Sequence, residues 1–452
     1  MIRGGSSRGR SWTAALGFAV GVGIGMTVLA GGVVSAHDGP TESLPAIERG
    51  LRDVLHTPPS LVREGSSVDL RYDVVCQADA FGKPCALNGN VFVRSAGERG
   101  YHAVSLARAG EAALTTTVDV PEGGLSYYAV IDAAGSSITV PAAGGAAPQQ
   151  VWTAADITSV RLGAHVFGRA RKADLRLLSA PWGSGPGALG LVTGRELARV
   201  GPSAFDLAED GSVVVLDQVN DRLATYPAAG GGPRYLPIPF DGGEGDVALG
   251  EDGTAYVLDQ GTEPVVRSYT ASGARAAVAP VGSGVDMLRA TPTGAVLHGY
   301  PGEMWLPVGS ADHLLQPSQQ AARARPSRPG ADGSEVVVSA IDAQAFFALV
   351  RGDRVVRAWQ VSSGTNLGEI QLAEPYGNGL LVVLRVWTSQ RAEFVALVLS
   401  ATGLASSFSI DAVEWAESAP LGRFKLDDRR LFQLRTTSSG AEVVAFDLGG
   451  TK

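Results

Sequence analysis

The stretch Phe205-Asp206-Leu207-Ala208-Glu209-Asp210-Gly211-Ser212-Val213-Val214-Val215-Leu216-Asp217-Gln218 decides how the C-terminal two-thirds of the chain folds. It returns 42 residues later as Val247-Ala248-Leu249-Gly250-Glu251-Asp252-Gly253-Thr254-Ala255-Tyr256-Val257-Leu258-Asp259-Gln260, keeping Leu, Glu-Asp-Gly and Leu-Asp-Gln in register. A third, degraded copy runs from Leu288 through Pro292-Thr293-Gly294-Ala295-Val296-Leu297, its glycine 41 residues beyond Gly253. Each copy is a short apolar strand, a glycine turn able to take positive φ, and a second apolar strand, which together make a tight hairpin. Strand-like runs at 222–226 and 234–238 follow the first hairpin, and runs at 265–269 and 276–280 follow the second. Four antiparallel strands per unit of about 42 residues is the period of a β-propeller blade.

Further apolar strand sets within 335–370, 380–410 and 413–448 bring the count to six blades over residues 151–452. A ring must close, and Asp174-Leu175-Arg176-Leu177-Leu178, ahead of the first unit, is placed to complete the last blade and remove its free edge. Residues 311–332, rich in Gln, Arg, Pro and Ser, interrupt the spacing and read as a surface insertion. Within 205–226 the phrase Asp217-x-x-Asn220-x-Arg222-Leu223 resembles the NHL repeat family of propellers, over two of the blades.

Upstream, Val68, Leu70, Tyr72 and Val74 alternate with polar residues at period two, the pattern of a half-buried strand. Short strand-like runs at 90–94, 101–107, 112–120, 126–132 and 137–140 follow, separated by Gly, Pro, Asn or Ser, so residues 58–140 read as an antiparallel sandwich. The segment Gly124-Leu125-Ser126-Tyr127-Tyr128-Ala129-Val130-Ile131-Asp132 resembles the penultimate strand of immunoglobulin-like and fibronectin-like modules, without their buried Trp and inter-sheet disulfide. One ring of the Tyr127-Tyr128 pair is expected in the core and the other on the surface. Residues 44–56 fit one amphipathic helix, and 141–150 read as a linker.

Arg3, Arg8 and Arg10 precede an uncharged apolar stretch ending at Val34-Ser35-Ala36, so residues 1–36 read as a signal peptide cleaved before His37, or as a single membrane anchor. Either places the remainder outside the cytoplasm, secreted or membrane-anchored, where Cys76 and Cys85, the only cysteines, are expected to form a disulfide across a turn.

A net charge of -8 and the absence of a basic run beyond residue 10 argue against nucleic acid as a partner. No G-x-S-x-G occurs, and the G-x-G-x-x-G match at 185–190 opens no helix, so neither motif assigns a catalytic residue. The loops around a propeller funnel would carry Asp206, Asp246, Asp286, His298 and Asn378, the candidate ligand-binding residues. The oxygens of the three aspartates and Asn378 suit Ca²⁺, but no cofactor is required by the pattern. Asp217 and Asp259 recur at equivalent positions, which suits turn capping or pairing with Arg222 and Arg267. Trp152, Trp182, Trp305, Trp359, Trp387 and Trp415 suit packing between blades, or a sugar or peptide groove. The sum is an all-β envelope protein that binds a protein, peptide or glycan, with a propeller lyase or hydrolase as the rival.

Overall fold

The computed structural model describes residues 51–76 and 86–449, apart from 134–135, 195–196, 242–243, 283, 300–303, 322, 331, 342, 353, 413, 417–421 and 428. Residues 1–36 and the Cys76–Cys85 pairing therefore lie outside the described residues. Residues 50–452 form one compact unit.

Six sheets of four or five strands follow in chain order. Blade 1 spans 204–237, blade 2 245–280 and blade 3 285–314. Blade 4 spans 328–362, blade 5 366–411 and blade 6 424–447. Gly211 and Gly253 take φ of 77° and 76° in their hairpin turns, the left-handed conformation that favours glycine. The second strand of a blade is apolar almost without interruption, as in Val213–Asp217, Ala255–Asp259 and Gly379–Trp387, because neighbouring blades cover both of its faces. Val214 and Leu216 of blade 1 pack on Val247 and Val257 of blade 2, and Val382 and Leu384 of blade 5 share a core with Phe347 and Trp359 of blade 4. The ring closes where Phe205 and Val215 of blade 1 meet Leu434 and Val443 of blade 6.

The strand Leu175–Pro181 completes blade 6 by pairing antiparallel with Gly440–Asp447, from Leu175 opposite Ala445 to Pro181 opposite Gly440. A second addition has no counterpart in the repeat pattern. Thr158–Arg161 joins blade 4 as a fifth, parallel strand beside Arg354–Ser362. Between the two, the chain crosses blade 5, where Glu393 accepts from His165 Nε2 at 2.8 Å and from the Gly168 amide, and the Arg171 amide donates to the Ser409 carbonyl.

Two sequence expectations need correction. Residues 311–332 are not a surface insertion. His313–Leu314 is the outer strand of blade 3 and Arg328–Pro329 the innermost strand of blade 4, with Leu315, Gln320 and Arg328 buried. Within 44–56, Leu51–Leu55 is a strand paired with Ser67–Cys76 rather than part of a helix. Leu51, Val54 and Leu55 have helical spacing, but Ser67–Cys76 offers a strand edge on which the segment pairs its inward-facing backbone groups.

The sandwich has one sheet ordered 51–55, 67–76, 113–119, 107–108 and a second ordered 61–63, 149–154, 125–133, 87–95, 102–105, with 136–140 also paired to 125–133. Leu70, Tyr72 and Leu114 of the first sheet meet Val91, Tyr127 and Ile131 of the second. Tyr127 is in this core, and Tyr128 is half-buried outside it, stacked on Phe92 at 4.8 Å. Residues 141–150 hold a short 3-10 turn, Gly144–Ala146, and lead into Gln149–Ala154. That strand seats the module on blade 4, where Leu61, Trp152 and Ala154 pack against Val337, Ala348 and Val350.

Candidate functional site

The innermost strands of the six blades face a central channel, because alternation along each strand sends one set of side chains between blades and the other to the axis. Phe205 is buried between blades while its neighbour Asp206 lines the channel. The channel holds a cavity of about 680 Å³ whose wall carries Asp206, Asp246, Arg289, Arg328, Glu374 and Lys425.

Asp206 and Asp246 each link two blades. Asp206 accepts from the Leu207 amide and, through Oδ2, from the Leu249 amide of blade 2 at 2.9 Å. Asp246 accepts from the Val247 amide and, through Oδ2, from the Leu288 amide of blade 3 at 2.7 Å. Asp246 lies completely buried beneath Gly422, where a Cβ would come within 2.5 Å of its Oδ1. Burial pushes the Asp246 carboxyl up to about 6, opposed by the Lys425 ammonium and the two amides and reinforced by the Asp206 charge. Arg289 is ion-paired with Glu374 across the channel. Burial, with repulsion from Arg328, pulls the Arg289 guanidinium down to about 10. Lys425 Nζ lies 3.5 Å from Asp206 Oδ2.

The five sequence candidates thus fall in three places. Asp206 and Asp246 converge on the channel. Asp286 and His298 meet on blade 3, with His298 Nδ1 at 2.5 Å from Asp286 Oδ1 and the imidazole 5.2 Å from the Trp305 ring. Asn378 sits apart in the exposed turn after Asn366–Tyr376, beside Gly377 at the cavity rim. Arg289, Arg328, Glu374 and Lys425 were missed. Glu374, a carboxylate following the apolar pair Leu372-Ala373 in the inner strand of blade 5, was the available signal.

Asp217 and Asp259 lie outside the channel wall and do repeated work. Asp217 pairs with Arg222 at 2.8 Å and accepts from the Gly190 amide and Asn220, while Asp259 pairs with Arg267 at 2.7 Å and accepts from the Asp241 and Gly261 amides. Among the described residues no three His, Cys, Asp or Glu side chains converge as a metal-ligand set, and no helix is long and apolar enough to cross a membrane.

This topology and site define a six-bladed β-propeller with a charge-lined channel and a sandwich docked on one blade. No family model matches the sequence, and no curated protein matches it. Similar solved structures include hydrazine synthase of Kuenenia stuttgartiensis, 12% identical over 54% of this chain and 76% of that one with a TM-score of 0.35. Virginiamycin B lyase from Staphylococcus aureus is 9% identical over 54% of this chain and 94% of that one, with a TM-score of 0.34. A protein from Lactobacillus plantarum is 12% identical over 80% and 93%, with a TM-score of 0.33. Scores this low carry no argument about activity, and the propeller assignment rests on the sheets themselves.

Proposed function

We propose that the chain is an exported binding protein of the cell envelope, whose propeller is a rigid platform for a protein, peptide or glycan. Within this reading the propeller is NHL-like and the sandwich immunoglobulin- or fibronectin-like. Residues 1–36 deliver the protein across the membrane, where Cys76 and Cys85 oxidise. The observation that carries the reading is the pairing in the channel. Asp206 and Asp246 hold amides of the next blade, and Arg289 holds Glu374. Groups so engaged stiffen the ring and are poorly placed to move protons in a reaction.

The second reading, a propeller lyase or hydrolase with a cation in the funnel, has one observation in its favour, the His298–Asp286 contact. Carboxylate-oriented imidazoles serve as general bases. Residues 37–452, purified and dialysed, separate the two. Co-sedimentation with isolated envelope, unchanged in His298→Ala and without stoichiometric Ca²⁺ or Zn²⁺ by metal analysis, supports binding. Retained stoichiometric metal, or processing of envelope material that is lost in His298→Ala, supports the enzyme. Mass spectrometry of the native protein checks export through a mature N-terminus at His37 and no free thiol.

A further inference from the structure

Five of the six tryptophans named above are engaged in packing. Trp152, Trp305 and Trp359 are buried, and Trp182 stacks on Trp415 at 5.9 Å. Trp387, at the end of the second strand of blade 5, is the exception, with 42% of its surface exposed. Its indole lies against the backbone of Gly368, where a Cβ would come within 3.2 Å of Cδ1 and 3.4 Å of Nε1. The glycine thus makes room for the ring to lie against the inner strand of its own blade.

Around it, residues 368–369, 385 and 387–392 form an open cleft of about 550 Å³. Exposed Glu369, Arg385, Gln390 and Arg391 stand on its rim. Neither Arg385 nor Arg391 has an ion-pair partner among the described residues, so two guanidiniums face solvent against one carboxylate.

An open aromatic plate flanked by planar hydrogen-bonding groups matches the chemistry of a pyranose ring, whose C–H face stacks on the π surface while its hydroxyls meet amide, carboxylate and guanidinium groups. The excess of guanidinium selects for a carboxylate on the ligand, which arginine binds in bidentate fashion. An indole with only two rotatable bonds loses little entropy on contact. We propose that this cleft binds an acidic glycan, with one sugar ring stacked on Trp387 and its carboxylate held by Arg385 and Arg391. The proposal rests on the binding-protein reading and names the ligand class.

Calorimetric titration of residues 37–452 with trigalacturonate, with neutral maltotriose and with an acidic oligoglutamate peptide tests it. Trigalacturonate is expected to bind best and to weaken as salt rises. Trp387→Ala is expected to weaken binding about thirtyfold, as for a buried aromatic anchor, while Trp387→Phe keeps most of it. Arg385→Gln with Arg391→Gln is expected to abolish the preference over maltotriose. An exposed position tolerates these changes, and an unchanged urea midpoint confirms that folding is intact. No binding of trigalacturonate, binding insensitive to Trp387→Ala, or equal binding of the peptide overturns the proposal. Envelope co-sedimentation that persists in Trp387→Ala leaves the binding-protein reading standing while this one falls. Loss of co-sedimentation in the unmutated protein removes both.

Discussion

Asp246 gives a sharp test of how the channel is built. Its carboxyl titrates near 3.8 in an unfolded chain and at about 6 in the folded ring, because burial disfavours the charged form. The folded state therefore holds the proton more tightly, so the stabilising contribution is complete below 3.8 and is lost as pH rises through about 6. Linkage puts this contribution at about 1.4 kcal/mol at pH 5 and close to zero at pH 8. Asp246→Asn removes the titration while retaining a carbonyl oxygen for one of the two amides. The assay is urea unfolding of wild type and variant at both pH values, followed by tryptophan fluorescence, with ΔG extrapolated to water. Titrating groups that do not interact with Asp246 cancel in the difference between the two proteins. The stability of wild type relative to the variant should fall by about 1.4 kcal/mol from pH 5 to pH 8. A difference that is independent of pH, or that grows toward pH 8, would refute the account of Asp246 as a buried carboxyl held by Leu288 and Val247.

Asp217→Ala strands the nearly buried Arg222 guanidinium and should cost about 3–5 kcal/mol, and Asp259→Ala should cost the same because Arg267 stands in the same relation to it; urea midpoints check both. Trp359→Phe removes the 2.7 Å bond from the indole Nε1 to the Ser400 carbonyl, which joins blades 4 and 5, and should cost about 2–4 kcal/mol by the same measurement. Gly379→Ala places a Cβ at 1.8 Å from the Leu399 carbonyl oxygen, backbone that cannot yield, and should lower the thermal midpoint by several degrees, with about 1–3 kcal/mol lost.

What was legible in the sequence follows from where periodicity survives. Half-buried strands of the sandwich keep period two, so Ser67–Cys76 and Leu125–Ala133 stand out. The Glu-Asp-Gly turns mark blades 1 and 2 because the hairpin needs glycine at positive φ. Blade 5 was harder. Its inner strand, Asn366–Tyr376, lies before the expected start at Leu380, and breaks in register between Leu367 and Leu372 spoil the alternation that would reveal it. The channel was only half legible, since Arg289, Glu374 and Lys425 come from three different blades at non-equivalent positions. Composition misled at Arg328, which sits in a Pro- and Ser-rich stretch yet forms part of the channel wall.

The lacing of the ring by its N-terminal side bears directly on function. From Thr158 to Pro181 the chain adds a strand to blade 4, ties down on Glu393 of blade 5 and closes blade 6. Arg176 and Glu442, 3.0 Å apart, are bonded across most of the sequence of the propeller. Three consecutive blades cannot then move apart without breaking backbone pairing as well as side-chain cores, so motions that would open the channel are costly. A ring held this way keeps its loops in fixed relation, which reduces the ordering cost of binding. The sandwich, packed through Trp152 on blade 4 rather than hung on free chain, shares that rigidity. Trp387, at the end of the second strand of blade 5, is the one large aromatic ring exposed to water among the described residues. Stiff scaffold and open aromatic cleft on one blade are the combination that the proposed binding role calls for.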